Sequence, residues 1–148
     1  MHVYSQHLYQ WVWGTKHREP VMTHKGQDRL YAYIASILRN KKCHVHKING
    51  IEDHLHIVSS LPPALDVSGL IKDMKIASGI FIRKSGIFPE FRGWQEGYGS
   101  FTYSKSALVK LIPYVENQKQ HHRNTTFKEE LIALLEEHDI EYDERYLW

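Results

Sequence analysis

The segment from His44 to Pro63, "HVHKINGIEDHLHIVSSLPP", constrains the fold of this chain most tightly. It holds two runs of apolar and polar residues in strand-like alternation. They meet near Asn49-Gly50, a dipeptide that favours the backbone conformations of hairpin turns. Pro62 and Pro63 end the second run, because proline donates no N–H to a ladder. The reading is a hairpin with strands at 43–49 and 53–60.

A long amphipathic helix is predicted on each side of this hairpin. Residues 24–40 place Leu30, Ile34, Ile37 and Leu38 on one face. Residues 66–84 place Val67, Leu70, Ile71, Met74, Ala77, Ile80 and Phe81 on another, with Asp66 or Ser68 as cap. An aromatic and β-branched run at 4–13 comes before the first helix, and "SFTYS" at 100–104 comes after the second. Further helices are predicted at about 106–121 and 125–138. The order β-α-β-β-α-β-α predicts an α+β fold, an antiparallel sheet with helices packed on one face.

A chain of 148 residues is expected to form one domain, 1–148, with an acidic C-terminal segment at about 128–148. The formal charge of +2 hides an asymmetry. Residues 128–148 hold eight acidic residues against Lys128 and Arg145, whereas residues 1–127 hold 17 basic against 9 acidic ones. A basic body suits a polyanionic partner; an unevenly charged but inert surface is the plain alternative. No apolar run is long enough to span a membrane, no secretion signal opens the chain, and Cys43 is alone, so a cytoplasmic location is expected.

The chemistry-bearing residues begin with two His-x-His pairs, His44/His46 and His54/His56. With 11 histidines in the chain, roughly one such pair arises by chance, so spacing alone decides nothing. Both pairs would place two imidazoles on one face of a strand. Their neighbours differ. Asp53 stands ready to orient a ring of the second pair, whereas Lys42 and Lys47 flank the first. Two rings are too few for a divalent ion, and a third ligand is wanted. In "LIPYVENQKQHH", Tyr114 and Gln118 are one helical turn apart, offering a phenol and an amide oxygen. Glu116 and Asp53 are alternative carboxylates, and His121 and His122 read as a solvated helix end. Pro113 predicts a kink, or a fresh helix start, just before Tyr114.

The ordered set "YQWVWGTKHREPV", "GIEDHLHIVSSLPP", "LIKDMKIASGIFIR", "WQEGYGSFTYSKS" and "YVENQ" resembles the single-tyrosine HUH transposases of insertion-sequence-200/605 type and their repeat-associated relatives. That resemblance implies a ferredoxin-like or RRM-like HUH endonuclease fold. It implies Tyr114 as nucleophile, His54, His56 and Gln118 as ligands of Mg²⁺ or Mn²⁺, and Asp53 supporting them. It implies metal-dependent cleavage and rejoining of single-stranded DNA, often with a hairpin, through a 5′-phosphotyrosine. It also implies a homodimer with active sites shared between subunits, although some relatives are monomers. A catalytically silent single-stranded nucleic-acid binder is the alternative; a small histidine-triad phosphoesterase would want a histidine where Val58 stands.

Such a substrate needs cations for phosphates and flat surfaces for bases. Lys16, His17, Arg18, Lys72, Lys75, Arg83 and Lys84 are expected phosphate contacts, and Trp94, Tyr98 and Tyr103 expected base platforms. Trp11 and Trp13 alternate with Val12 and read as packing. Ile140, Tyr142, Tyr146, Leu147 and Trp148 are too apolar for a free tail and are expected to dock.

Overall fold

The structure is a computed structural model and describes residues 2–148. Four strands form one antiparallel sheet: β1 (Leu8–Gly14), β2 (Val45–Gly50), β3 (His54–Ser60) and β4 (Gly99–Tyr103), in the order β2-β3-β1-β4. Five α-helices accompany them: α1 (His24–Asn40), α2 (Val67–Ser85), α3 (Leu108–Glu116), α4 (Gln118–His121) and α5 (Phe127–Glu137). The expected α+β order is present.

Alternation along the two central strands assigns each face its task. Trp11 and Trp13 of β1 and Leu55 and Ile57 of β3 point to one side and are fully buried. They pack with Leu30, Ile34 and Leu38 of α1 and with Leu70, Ile71, Met74 and Ile82 of α2. The intervening residues point to the other side. There Leu8, Val12, Val58 and Phe101 meet Leu111 and Val115 of α3 and Phe127, Leu131 and Leu134 of α5. The two long helices thus share one face as expected, and the short C-terminal helices cover part of the second. His54 and His56 lie on that second face and have no exposure to solvent.

Local chemistry fixes the ends. Asp66 caps α2 by accepting the Gly69 N–H at 2.8 Å. Gly86 ends α2 in the left-handed conformation, φ 70°, where only glycine is unstrained. Thr126 and Glu129 form a capping box that starts α5. The β2–β3 connection depends on Gly50, where a Cβ would stand 2.2 Å from the His54 carbonyl oxygen. On α2 the predicted stripe holds except at Ile80, which is substantially exposed, while Ile82 is buried.

The helix predicted over 106–121 is two helices. Pro113 lies inside α3, and the break falls at Asn117, φ −95° and ψ 22°. Pro113 is exposed, so the hydrogen bond it cannot make costs little, and its carbonyl still accepts the Asn117 N–H at 3.0 Å. The C-terminal residues dock only in part. Leu147 and Trp148 pack near Phe127, whereas Ile140, Tyr142 and Tyr146 are exposed.

Candidate metal centre and nucleophile

Each histidine of the β3 pair is oriented by an acceptor on its Nδ1. His54 Nδ1 lies 2.7 Å from Asp53 Oδ1, and His56 Nδ1 lies 2.6 Å from Gln10 Oε1. A third ring, His122, has its Nδ1 2.6 Å from the Thr125 carbonyl oxygen. Since carboxylate and carbonyl oxygens only accept, each Nδ1 must carry a proton. Each neutral ring therefore presents an Nε2 lone pair.

All three lone pairs aim at one place. Glu130 Oε1 is 3.1 Å from His54 Nε2, 2.9 Å from His56 Nε2 and 3.0 Å from His122 Nε2. Gln118 Oε1 is 3.2 Å from His54 Nε2 and 3.0 Å from His122 Nε2. The Gln118 amide nitrogen donates to Glu130 Oε2 at 2.8 Å, so its oxygen is turned inward. Lone pairs facing oxygen acceptors repel, and positive charge between them is the remedy. Protons would serve in part. Burial opposes charge on His54, but its hydrogen bonds to Asp53 and Glu130 prevail and raise its pKa. Complete burial pushes His56 the other way, despite Glu130. A ring that resists protonation yet faces a carboxylate oxygen suits a metal cation. His54, His56, His122 and Glu130 offer ligand atoms within 4.8 Å of one another. Three imidazoles, a carboxylate and an inward amide oxygen are a suitable donor set for a divalent ion.

The nucleophile expected at Tyr114 is beside this cluster. Its hydroxyl donates to Glu130 Oε2, and its ring meets His56 edge-on at 5.8 Å between centroids. Burial and the adjacent Glu130 raise the phenol well above its ordinary pKa. Glu130 is itself held well below the usual carboxylate range: burial opposes its charge, but where protons occupy the facing Nε2 atoms, the charge on His56 and the hydrogen bonds from the rings outweigh that cost. Tyr114, Gln118 and both strand histidines meet within one chain.

The cluster departs from the sequence reading at two residues. His122 is not a solvated helix end; its side chain is 3% exposed and its Nε2 joins the cluster. The break at Asn117 turns α4 so that His122 follows Gln118 inward. Glu130 had no signal beyond being the one acidic residue in line with Phe127, Leu131 and Leu134 on the buried stripe of α5. Of the alternative carboxylates, Asp53 orients His54, and Glu116 is exposed near Lys47 at 3.8 Å.

The expected DNA contacts separate into two groups. Lys16 and Arg18 are exposed on the loop after β1, where His17 and Arg18 have φ of 57° and 53°. His17 and Arg18 line a cavity of about 610 Å³ together with Asp53, His122 and Arg123, at the mouth of the cluster. Lys72, Arg83 and Lys84 are exposed on α2, across the sheet from His54 and His56. Lys75 donates to the Gln95 and Gly97 carbonyls, and burial pulls its pKa down to about 8. Trp94 stands edge-on to Trp13 and Phe91 and donates to Ser78, and Tyr98 packs against the main core, so both support the fold. Tyr103 lies on the cluster side of the sheet.

Comparison with known proteins agrees with this arrangement. The model of the family "Transposase IS200 like" matches residues 3–118. The ISDra2 transposase TnpA of Deinococcus radiodurans is 24% identical over 115 residues, covering 74% of this chain and 82% of that protein. Two solved structures share the fold. One, assigned as a transposase of Deinococcus radiodurans, superposes with a TM-score of 0.64 at 21% identity, over 80% of this chain and 95% of that one. The other, a REP-associated tyrosine transposase bound to a REP hairpin, gives 0.60 at 14% identity, over 82% and 72%. With its His-x-His strand, its tyrosine helix and a family match over most of its length, this chain belongs to the IS200-like transposases.

Proposed function

We propose that the chain cleaves and rejoins single-stranded DNA, with Tyr114 as nucleophile and a divalent ion held by His54, His56 and Gln118. The observation that carries this reading is the convergence of imidazole lone pairs on a buried carboxylate whose other oxygen holds the tyrosine hydroxyl. His122 and Glu130 are within reach of the same ion. Mn²⁺ suits so many imidazoles better than Mg²⁺. When bound, the ion supplies Lewis-acid stabilisation of charge on a phosphate oxygen and on the departing 3′ oxygen.

The remaining steps belong to the protein. The Tyr114 oxygen forms a bond to phosphorus as the bond from phosphorus to the 3′ oxygen breaks. The phenolic proton leaves along its hydrogen bond to Glu130 Oε2, which relays it to solvent water, and a water molecule returns a proton to the departing 3′ oxygen. The products are a 5′-phosphotyrosine and a free 3′-OH. One phosphodiester replaces another, so the 3′-OH of a second strand can reverse the step without nucleotide hydrolysis. Arg18 and Arg123 border the opening, Lys16 lines the cavity on the other side of Arg18, and all three would neutralise backbone phosphates. A solved relative holds a REP hairpin, which supports a hairpin-bearing strand as substrate. One chain carries the whole constellation, so action in cis is proposed.

The test is incubation with hairpin-bearing single-stranded DNA and Mn²⁺. A denaturation-resistant protein–DNA adduct is expected, absent from Tyr114→Phe and from chelator-treated protein. Salt-sensitive binding by the unaltered protein with no adduct would favour a catalytically silent binder instead.

A further inference from the structure

A cavity of about 390 Å³ opens beside the nucleophile, and Tyr114 and Glu130 form one of its walls. Its other walls come from β4, the start of α3 and the outer side of α5. Helix α5 lies beyond residues 3–118, so this pocket is partly built from chain that the family match does not cover. Ala107, Leu111, Ala133 and Leu134 make the lining largely apolar. The volume falls within the usual span for small-ligand sites, roughly 300–1,000 Å³.

Two polar groups on its walls lack a hydrogen bond they could make. Gln10 accepts the His56 Nδ1 proton, which fixes its amide nitrogen as the group that donates to the Tyr103 hydroxyl at 2.8 Å. The hydroxyl is thus an acceptor there, and its own proton has no acceptor among the described residues. His121 Nε2 is buried without a hydrogen bond, its nearest acceptor being Glu130 Oε2 at 3.4 Å. Glu137 is exposed at the rim. A flat ring with apolar faces and with both donors and acceptors on its edge would satisfy such walls. Glu129 and Glu137 outnumber Lys110 on the rim, which disfavours a phosphate.

Resting on the proposed cleavage of single-stranded DNA, we infer that this pocket receives the nucleobase of the nucleotide next to the scissile phosphate, turned out of the strand. A phosphate under attack by Tyr114 carries its neighbouring bases within reach of the shared wall. An unstacked base gains by entering an apolar slot with an open donor and acceptor. The hydrogen-bond chain from Tyr103 through Gln10 to His56 links an occupied pocket to a proposed metal ligand. Base entry thereby holds the strand in register for the tyrosine.

Two measurements test this, one independent of activity. Methyl NMR of the protein titrated with the four deoxynucleosides should show saturable shifts at Ala107, Leu111, Ala133 and Leu134. Deoxyribose and inorganic phosphate should leave them unmoved. Ala133→Trp, at an exposed position outside the catalytic set, fills the slot and should abolish the shifts. Adduct formation with oligonucleotides carrying one abasic position, moved stepwise along the strand, should fall about tenfold when the gap adjoins the cleavage point. In Ala133→Trp that dependence should vanish. Shifts without any adduct would sink the cleavage reading and leave the pocket standing. Methyls that ignore every nucleoside, or that respond equally in Ala133→Trp, would overturn the inference whatever the adduct assay gives.

Discussion

The two His-x-His pairs lie on or beside neighbouring strands, and only one converges on a carboxylate. His54 and His56 are buried, with ring centroids 5.2 Å apart. Each is locked through Nδ1 and aimed through Nε2 at Glu130. His44 and His46 lie closer, at 4.5 Å, yet share no carboxylate. His44 is exposed, and a bulge between Val45 and Lys47 disturbs the ladder at His46. Burial and the neighbouring His44 and Lys105 push the His46 pKa down. Lys42 and Lys105 line the cavity around this pair, so a cation meets cations there. Two histidines two apart on a strand are therefore not a motif with intrinsic metal affinity. What matters is an acceptor behind each ring and an anion in front of it.

The comparison can be broken most forcefully by removing one ring from each pair. Saturating Mn²⁺ at about 100 times its dissociation constant should add about 2.7 kcal/mol of stability. For a chain of this size that is a rise of roughly 5–10 °C in melting temperature. His54→Ala and His56→Ala should lose that rise, whereas His44→Ala and His46→Ala should keep it in full. Differential scanning fluorimetry with and without the ion decides the matter. Equal loss in both pairs would mean that position, not environment, makes the ligand.

A second prediction concerns the anion in front of the rings. Glu130→Leu should destabilise the metal-free protein by roughly 3 kcal/mol or more, because the Gln118 amide and the Tyr114 hydroxyl lose their shared acceptor and stay buried. Chemical denaturation after chelator treatment measures it. A change under 1 kcal/mol would show that the carboxylate is not the centre of the network.

Smaller effects are expected behind the rings. Asp53→Ala frees His54 Nδ1 and should weaken Mn²⁺ binding about tenfold or more, read by calorimetry. Gln10→Leu should act similarly on His56 and also release Tyr103. The least effect belongs to the control pair: His44→Ala should shift stability by no more than about 0.5 kcal/mol, as befits an exposed side chain.

Periodicity and spacing made much of this architecture legible. The helix over 24–40 and the cap at Asp66 follow from apolar spacing and from the chemistry of a helix N-terminus. His54 and His56 share a face because strands alternate, and Tyr114 stands edge-on to His56 with its hydroxyl on Glu130. Pro113 misled, because proline in an exposed turn is tolerated and the real break lies at Asn117. Lys75 and Trp94 were illegible for another reason: a cation or an indole looks the same in sequence whether it meets DNA or its own fold, and here Lys75 donates to the Gln95 carbonyl and Trp94 to Ser78.

The sequence by itself determined the local order of elements, the shared face of the strand histidines and the tyrosine one turn before Gln118, because each follows from contacts within a few residues. Only the tertiary structure decided that α5 lies against the open face of the sheet and delivers Glu130 from 74 residues beyond His56. That choice depends on the summed burial of Phe127, Leu131 and Leu134 against Val12 and Phe101, and no local pattern encodes which surface a helical stripe will cover.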